Sequence, residues 1–200
     1  MNLIISLGLF FLAVVIHEFA HAFVAFRRGD QTAQRMGRLT LNPLAHIDPF
    51  GTIVLPLLLI VMRSPVLFGY AKPVPVNFRN LKNPKQDMIW VGLAGPAANL
   101  ILATLIAVTL RWELFPWGGF NQILFKMLLL NVVLAVFNLL PLPPLDGSRV
   151  LMGLLPVPMA MRYASLEPYG FMILFALLYI GIIDYFVLPV SAQIVRLLML

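Results

Sequence analysis

Residues 2–26, NLIISLGLFFLAVVIHEFAHAFVAF, decide how the rest of the chain is read. They form a run long enough to cross hydrocarbon as one helix, at 1.5 Å per residue. Arg27-Arg28-Gly29-Asp30 supplies a charged stop with a C-cap glycine. Within the run stands His17-Glu18-Phe19-Ala20-His21. Histidines four apart share one helix face, so both imidazoles can reach one metal ion. Glu18 neighbours that ion without being forced to bind it, which suits a general base for an attacking water. Random placement gives this pattern in roughly one such chain in 1,500, so chance does not explain it. A charged side chain in a spanning helix costs on the order of 2.5–3.5 kcal/mol, which favours function over a structural role.

Composition agrees with a membrane setting. Of 200 residues, 61% are hydrophobic and 11% charged, too few charges to cover a soluble domain. Mean hydropathy is +0.94. Cysteine is absent, which excludes disulfides, thiolate metal sites and a cysteine nucleophile. The net charge of +6 reads as loop topology rather than nucleic-acid binding, because no basic surface helix presents it. Residues 1–16 lack the basic start and cleavage site of a signal peptide and are expected to be retained.

Further spanning helices are expected at 88–110, 123–140 and 170–188, with short helical pieces at 147–155 and 190–200. Residues 51–62 are apolar but short and contain Pro56. Nine of the fourteen Lys and Arg lie between Arg27 and Lys85, on both sides of that segment. A re-entrant dip keeps both basic loops cytoplasmic, whereas a crossing puts one outside. Around Gly69, Tyr70 and Pro73-Val74-Pro75-Val76-Asn77 the chain is expected to be extended. The fold class is therefore an all-α polytopic membrane protein. It has about four to six membrane helices, a re-entrant or β-hairpin-like segment around 51–77, and one domain over 1–200.

Two histidines leave room for another metal ligand. His46 is the remaining histidine, and Asp146 is the carboxylate in the most suggestive place. It follows the proline-broken stretch Asn138-Leu139-Leu140-Pro141-Leu142-Pro143-Pro144-Leu145. Broken backbone at membrane depth is tolerated only where protein buries it or it lines a wet cavity. An N-cap for the helix that follows is the alternative role for Asp146. Asp30, Asp48, Asp87, Glu113 and Glu167 read as solvated loop charges or caps. Asn99 and Asn138 read as interhelical hydrogen-bonding residues.

Together these motifs resemble the site-2 protease family of intramembrane zinc metalloproteases, in its compact branch without PDZ or CBS domains. The resemblance rests on His17-Glu18-Phe19-Ala20-His21, on Gly95-Pro96-Ala97-Ala98-Asn99 and on residues 138–147, in that order. It also rests on Gly37-Arg38-Leu39-Thr40-Leu41-Asn42-Pro43-Leu44-Ala45-His46-Ile47-Asp48-Pro49. It implies Zn2+ held by His17, His21 and Asp146, with Glu18 activating water. Asn138, Asn99, Gly69 and Tyr70 would contact substrate or the developing oxyanion, and the segment 69–77 would pair with unwound substrate. The implied substrates are transmembrane proteins in the lipid bilayer of a bacterial cell, cut from the cytoplasmic side. Nucleic acid is not a partner, and a homo-oligomer is compatible. An inactive zinc-binding scaffold and a transporter are the rival classes. A transporter is expected to carry more polar residues in its spans, and often a repeat.

Overall fold

The computed structural model describes the backbone of residues 3–62, 71–115 and 118–200, and their side chains except at 3–4, 53, 56 and 182–184. Helix α1 runs Leu3–Arg27 and ends as the charged stop predicts. Gly29, at φ +112°, turns the chain so that Asp30 N–H reaches back to Ala25 O at 2.9 Å. A short helix α2 (Thr32–Arg35) and a 3-10 turn at Pro43–His46 occupy what the sequence suggested was a plain loop. A wide turn over Pro49–Val54 leads into α3 (Leu55–Val61). Together 49–61 rise only about 20 Å, short of the roughly 30 Å of hydrocarbon.

Residues 71–77 form no helix or strand, Asn77 is in the extended region, and Pro73 and Pro75 bias the residues before them to it as well. Gly69 and Tyr70, expected to contact substrate, lie outside the described residues. The two long helices that follow are α4 (Pro84–Arg111) and α5 (Gly118–Asn138). Helix α4 is the hub, packing on α1, on α5 and on α6 (Asp146–Leu154). Arg28 at the end of α1 pairs with buried Asp87 at 3.0 Å and lies over the Trp90 ring, fastening α1 to the start of α4.

After α6 come α7 (Val157–Ala164), α8 (Gly170–Ile180) and α9 (Ile182–Met199). The expected helix 170–188 is thus divided. Gly181 at φ +77° is in the left-handed region and stops α8, and the chain restarts as α9. Residues 190–200 are correspondingly not a separate tail. Ile194, Val195 and Leu198 pack on a core of Ala103, Ile106, Ala107, Leu128 and Val132 from α4 and α5. Among the described residues, four stretches are long and apolar enough to span a membrane: Ile5–Arg27, Pro84–Arg111, Gly118–Asn138 and Val157–Ile180. The protein is therefore an all-helical integral membrane protein.

Leu128 has no exposed surface, whereas its neighbour Leu129 is 36% exposed. In lipid the two differ by packing rather than by transfer from water. Leu128→Ala should therefore lower stability by about 2 kcal/mol or more through the cavity it leaves. Leu129→Ala should have little effect. Unfolding by SDS in mixed micelles measures both.

Candidate active site

The site is assembled where α1 crosses α4. A Cβ on Gly95 would stand 2.3 Å from His21 Nε2 and 2.5 Å from His17 Nε2. Only a glycine lets α4 approach the two imidazoles this closely. Four residues on, Asn99 is fully buried, and its amide is spoken for on both sides. Its Nδ2 donates to Ala13 O at 3.2 Å and to Asn131 Oδ1 at 2.7 Å. Because a carbonyl can only accept, this fixes the amide's orientation and leaves Oδ1 to accept from His17 Nδ1 at 2.5 Å. Asn131 is held in turn by donating to Met127 O at 2.8 Å. His21 Nδ1 donates to Val91 O at 2.6 Å. Both histidines therefore carry hydrogen on Nδ1 and, when neutral, present a lone pair at Nε2.

The third side chain arrives through the break after α5. Leu140, Leu142 and Leu145 pack with Leu174 of α8 and Val187 of α9, while Leu139, Pro141 and Pro144 stay exposed and Pro144 lines the cavity beside the histidines. Its amides bond locally, Leu142 N to Leu140 O and Leu145 N to Leu142 O, each at 2.8 Å. Gly147 lies so close to this turn that a Cβ would meet Leu139 O at 2.2 Å. Helix α6 starts at Asp146 without a side-chain cap, and the Asp146 carboxylate points at the histidines instead. Asp146 Oδ2 is 3.0 Å from His17 Nε2 and 3.1 Å from His21 Nε2, and the two Nε2 atoms are 3.0 Å apart.

Three acceptor atoms facing each other at these distances repel unless a cation lies among them. Ligands at 2.0–2.1 Å from a tetrahedral zinc lie about 3.3 Å apart, close to the observed triangle. Two imidazoles and a carboxylate are a donor set suited to zinc, so the residues present fit the ion. His46 is elsewhere, fully buried and donating through Nε2 to Thr40 O at 2.9 Å.

Glu18 lies beside the triangle. Its Oε2 accepts the Val74 N–H at 2.7 Å. With His17, His21, Val74, Val76, Asn138, Asp146 and Arg149 it lines a cavity of about 300 Å3. Asn138 faces this cavity with its Nδ2 turned back onto Leu134 O at 2.9 Å. Asn99, expected near substrate, instead has no access to the cavity and orients His17.

Two carboxylates read from sequence as solvated charges or caps do accept from nearby backbone, Asp87 from Asn83 N and Asp30 from Thr32 N, but neither is solvated. Asp87 is 1% exposed and Asp30 is fully buried. Asp30 Oδ1 accepts from Thr32 N, Thr32 Oγ1 and Asn80 Nδ2, and Oδ2 accepts from Asn77 N at 2.7 Å. Burial alone would raise the Asp30 pKa, but these donors outweigh it and hold the carboxyl below its usual range. A polar local sequence hid this, because two of the donors, Asn77 and Asn80, lie about fifty residues away.

A two-histidine, one-carboxylate site sunk among apolar helices, with a glutamate at its side, defines a class: integral-membrane zinc metalloproteases. The family model for peptidase family M50 matches residues 5–115 and 112–181, and the chain belongs to that family, the site-2 proteases. Among its relatives, "Putative zinc metalloprotease YwhC" of Bacillus subtilis is 43% identical over 81% of this chain and 74% of its own length. "Putative zinc metalloprotease Rip2" of Mycolicibacterium smegmatis is 36% identical over 84% of this chain. "Zinc metalloprotease MJ0392" of Methanocaldococcus jannaschii is 24% identical over 74% of it. The chain spans about three quarters of the Bacillus relative, but 63% of the second and 33% of the third. No solved structure gives a significant match.

Gly95→Ala should push a methyl group into the histidine pair and lower zinc occupancy at least tenfold at limiting metal. Equilibrium dialysis followed by elemental mass spectrometry checks this.

Proposed function

We propose that this protein cleaves peptide bonds within transmembrane segments of membrane-protein substrates, using Glu18 as the base at a zinc ion held by His17, His21 and Asp146. The convergence of His17 Nε2, His21 Nε2 and Asp146 Oδ2 within 3.0–3.1 Å carries the reading. When bound, zinc supplies Lewis acidity that polarises the scissile carbonyl and makes water a stronger acid. The chain's own residues do the rest. Asn99 and the Val91 carbonyl fix the imidazole tautomers, which keeps the Nε2 lone pairs on the cavity side. Glu18 takes a proton from the attacking water as its oxygen bonds to the carbonyl carbon. It then delivers that proton to the leaving nitrogen as the C–N bond breaks. The Val74 N–H holds one Glu18 oxygen and leaves the other for that exchange. Asn138, on the cavity wall, is placed to meet the substrate backbone or the developing oxyanion.

A helical substrate hides its carbonyls, so it must be opened before attack. The extended segment at residues 73–76 supports strand addition as the means. Among the described residues none donates a hydrogen bond to its carbonyls, and Pro73, Val74, Val76 and Phe78 edge the cavity. The histidines sit about 9–15 Å along α1 from its basic end at Arg27. Nine of fourteen Lys and Arg lie between Arg27 and Lys85, which supports a site reached from the cytoplasmic face of a bacterial membrane.

Glu18→Gln keeps an acceptor for the Val74 N–H and should retain zinc while losing cleavage of a model transmembrane substrate by at least a thousandfold. Wild-type proteolysis in that variant, with zinc bound, would sink the assignment. Asp146→Ala should instead lose most of its zinc, as metal analysis of the purified protein will show.

A further inference from the structure

We propose that Asp30, well outside the metal triangle, is a positioning residue for catalysis: it pins the extended segment whose Val74 amide orients Glu18. The inference rests on the reading of Glu18 as the base. Four contacts establish the pin. Asp30 is fully buried and accepts from the Asn77 backbone at 2.7 Å, the Asn80 side chain at 3.0 Å, Thr32 N at 3.1 Å and Thr32 Oγ1 at 2.5 Å. Thr32 and the Gly29 turn anchor Asp30 to the end of α1. Asn77 and Asn80 belong to the segment that leads away from the cavity. One carboxylate therefore ties the helix that carries Glu18 to the chain that touches Glu18.

The linkage is short and stiff. Between Val74 and Asn77 lie only two residues, and Val74 is bracketed by Pro73 and Pro75. Both prolines have fixed φ and no N–H. Val74 is thus the one residue of 73–75 able to donate a backbone hydrogen bond, and that bond goes to Glu18 Oε2 at 2.7 Å. Below Asn77 the chain is fixed again, by Lys82 N to Arg28 O at 3.0 Å and by Leu81 buried against Ala25 and Val91. Above it, Lys72 N bonds His46 O at 3.0 Å. Releasing Asn77 removes the hydrogen bond that sets the register of the middle of the segment, and leaves in place its ends and the packing of Val74 on Ala22 and Ala33. The expected consequence is a misaimed Glu18 with an intact metal triangle, since neither histidine nor Asp146 touches the segment through a hydrogen bond. Misplacement of about 1 Å costs on the order of a hundredfold in rate.

The test uses the full chain in lipid nanodiscs with zinc and a model transmembrane substrate. Asp30→Asn puts an amide donor where an acceptor stood, and should lower kcat at least tenfold with KM within about twofold and zinc at the wild-type level. Asn80→Ala removes a single donor from an exposed position and should lower kcat about threefold, again with full zinc. It decides the question alone if Asp30→Asn does not fold. In a Val74→Pro background, which lacks the N–H to Glu18, Asp30→Asn should add little further loss. Zinc lost in step with rate, a change in KM with kcat preserved, or the same fold loss in the Val74→Pro background would overturn the proposal. An inactive Glu18→Gln beside an unimpaired Asp30→Asn would remove this inference only. An active Glu18→Gln would remove the base as well.

Discussion

Two imidazole nitrogens and a carboxylate oxygen meet inside a bundle of apolar helices, and the rest of the architecture follows from keeping them there. In a medium of low dielectric, such a meeting is repulsive without a cation and strongly attractive with one. Each supporting feature serves the approach. Gly95 puts no side chain where a Cβ would collide with both imidazoles. The Asn99–Asn131 pair supplies the acceptor that sets the His17 tautomer, and it does so with every amide hydrogen that is named satisfied. The break between α5 and α6 gives up helical hydrogen bonds so that a carboxylate can enter sideways. Local turns and the packing of α8 and α9 offset that loss.

What could be read from the chain before any coordinates was mostly what hydrophobic period and local spacing encode. The long helices α1, α4 and α5 came out within a few residues of their ends. The histidine pair on α1 was legible because helical spacing alone puts residues four apart on one face. The meeting of Asp146 with that pair was suggested by a carboxylate in a broken apolar run, but geometry was needed to choose between an N-cap and a turn inward. Gly181 was missed because glycine inside an apolar run is compatible with a continuing helix. Only its positive φ reveals the stop.

The burial of Asp30 and Asp87 was illegible for a different reason. Both sit in polar sequence, where a solvated charge or a cap is the ordinary expectation, and each also has a partner remote in the chain. Arg28 lies 59 residues from Asp87, and Asn77 lies 47 from Asp30. The Glu18–Val74 contact was hidden more deeply, since its donor is a backbone amide and carries no residue-type signal. Sequence reading finds chemistry borne by side chains and passes over chemistry borne by the main chain.

That last point bears on why the extended segment has alternating prolines. Under the proposed mechanism, a segment that accepts an unwound substrate on one side while steadying the Glu18 carboxylate on the other has conflicting demands on its hydrogen-bonding groups. Proline at 73 and 75 removes donors that would otherwise draw the segment into a helix or a stable sheet of its own. Among the described residues no backbone donor reaches the carbonyls of 73–76, and the single donor between the prolines goes to Glu18. Such a segment has little intrinsic stability, having no ladder to support it. It must therefore be fastened from outside, and the fastening must lie beyond the prolines, where backbone donors resume. Asn77 is the first residue where that is done, and a buried carboxylate at the end of α1 receives it.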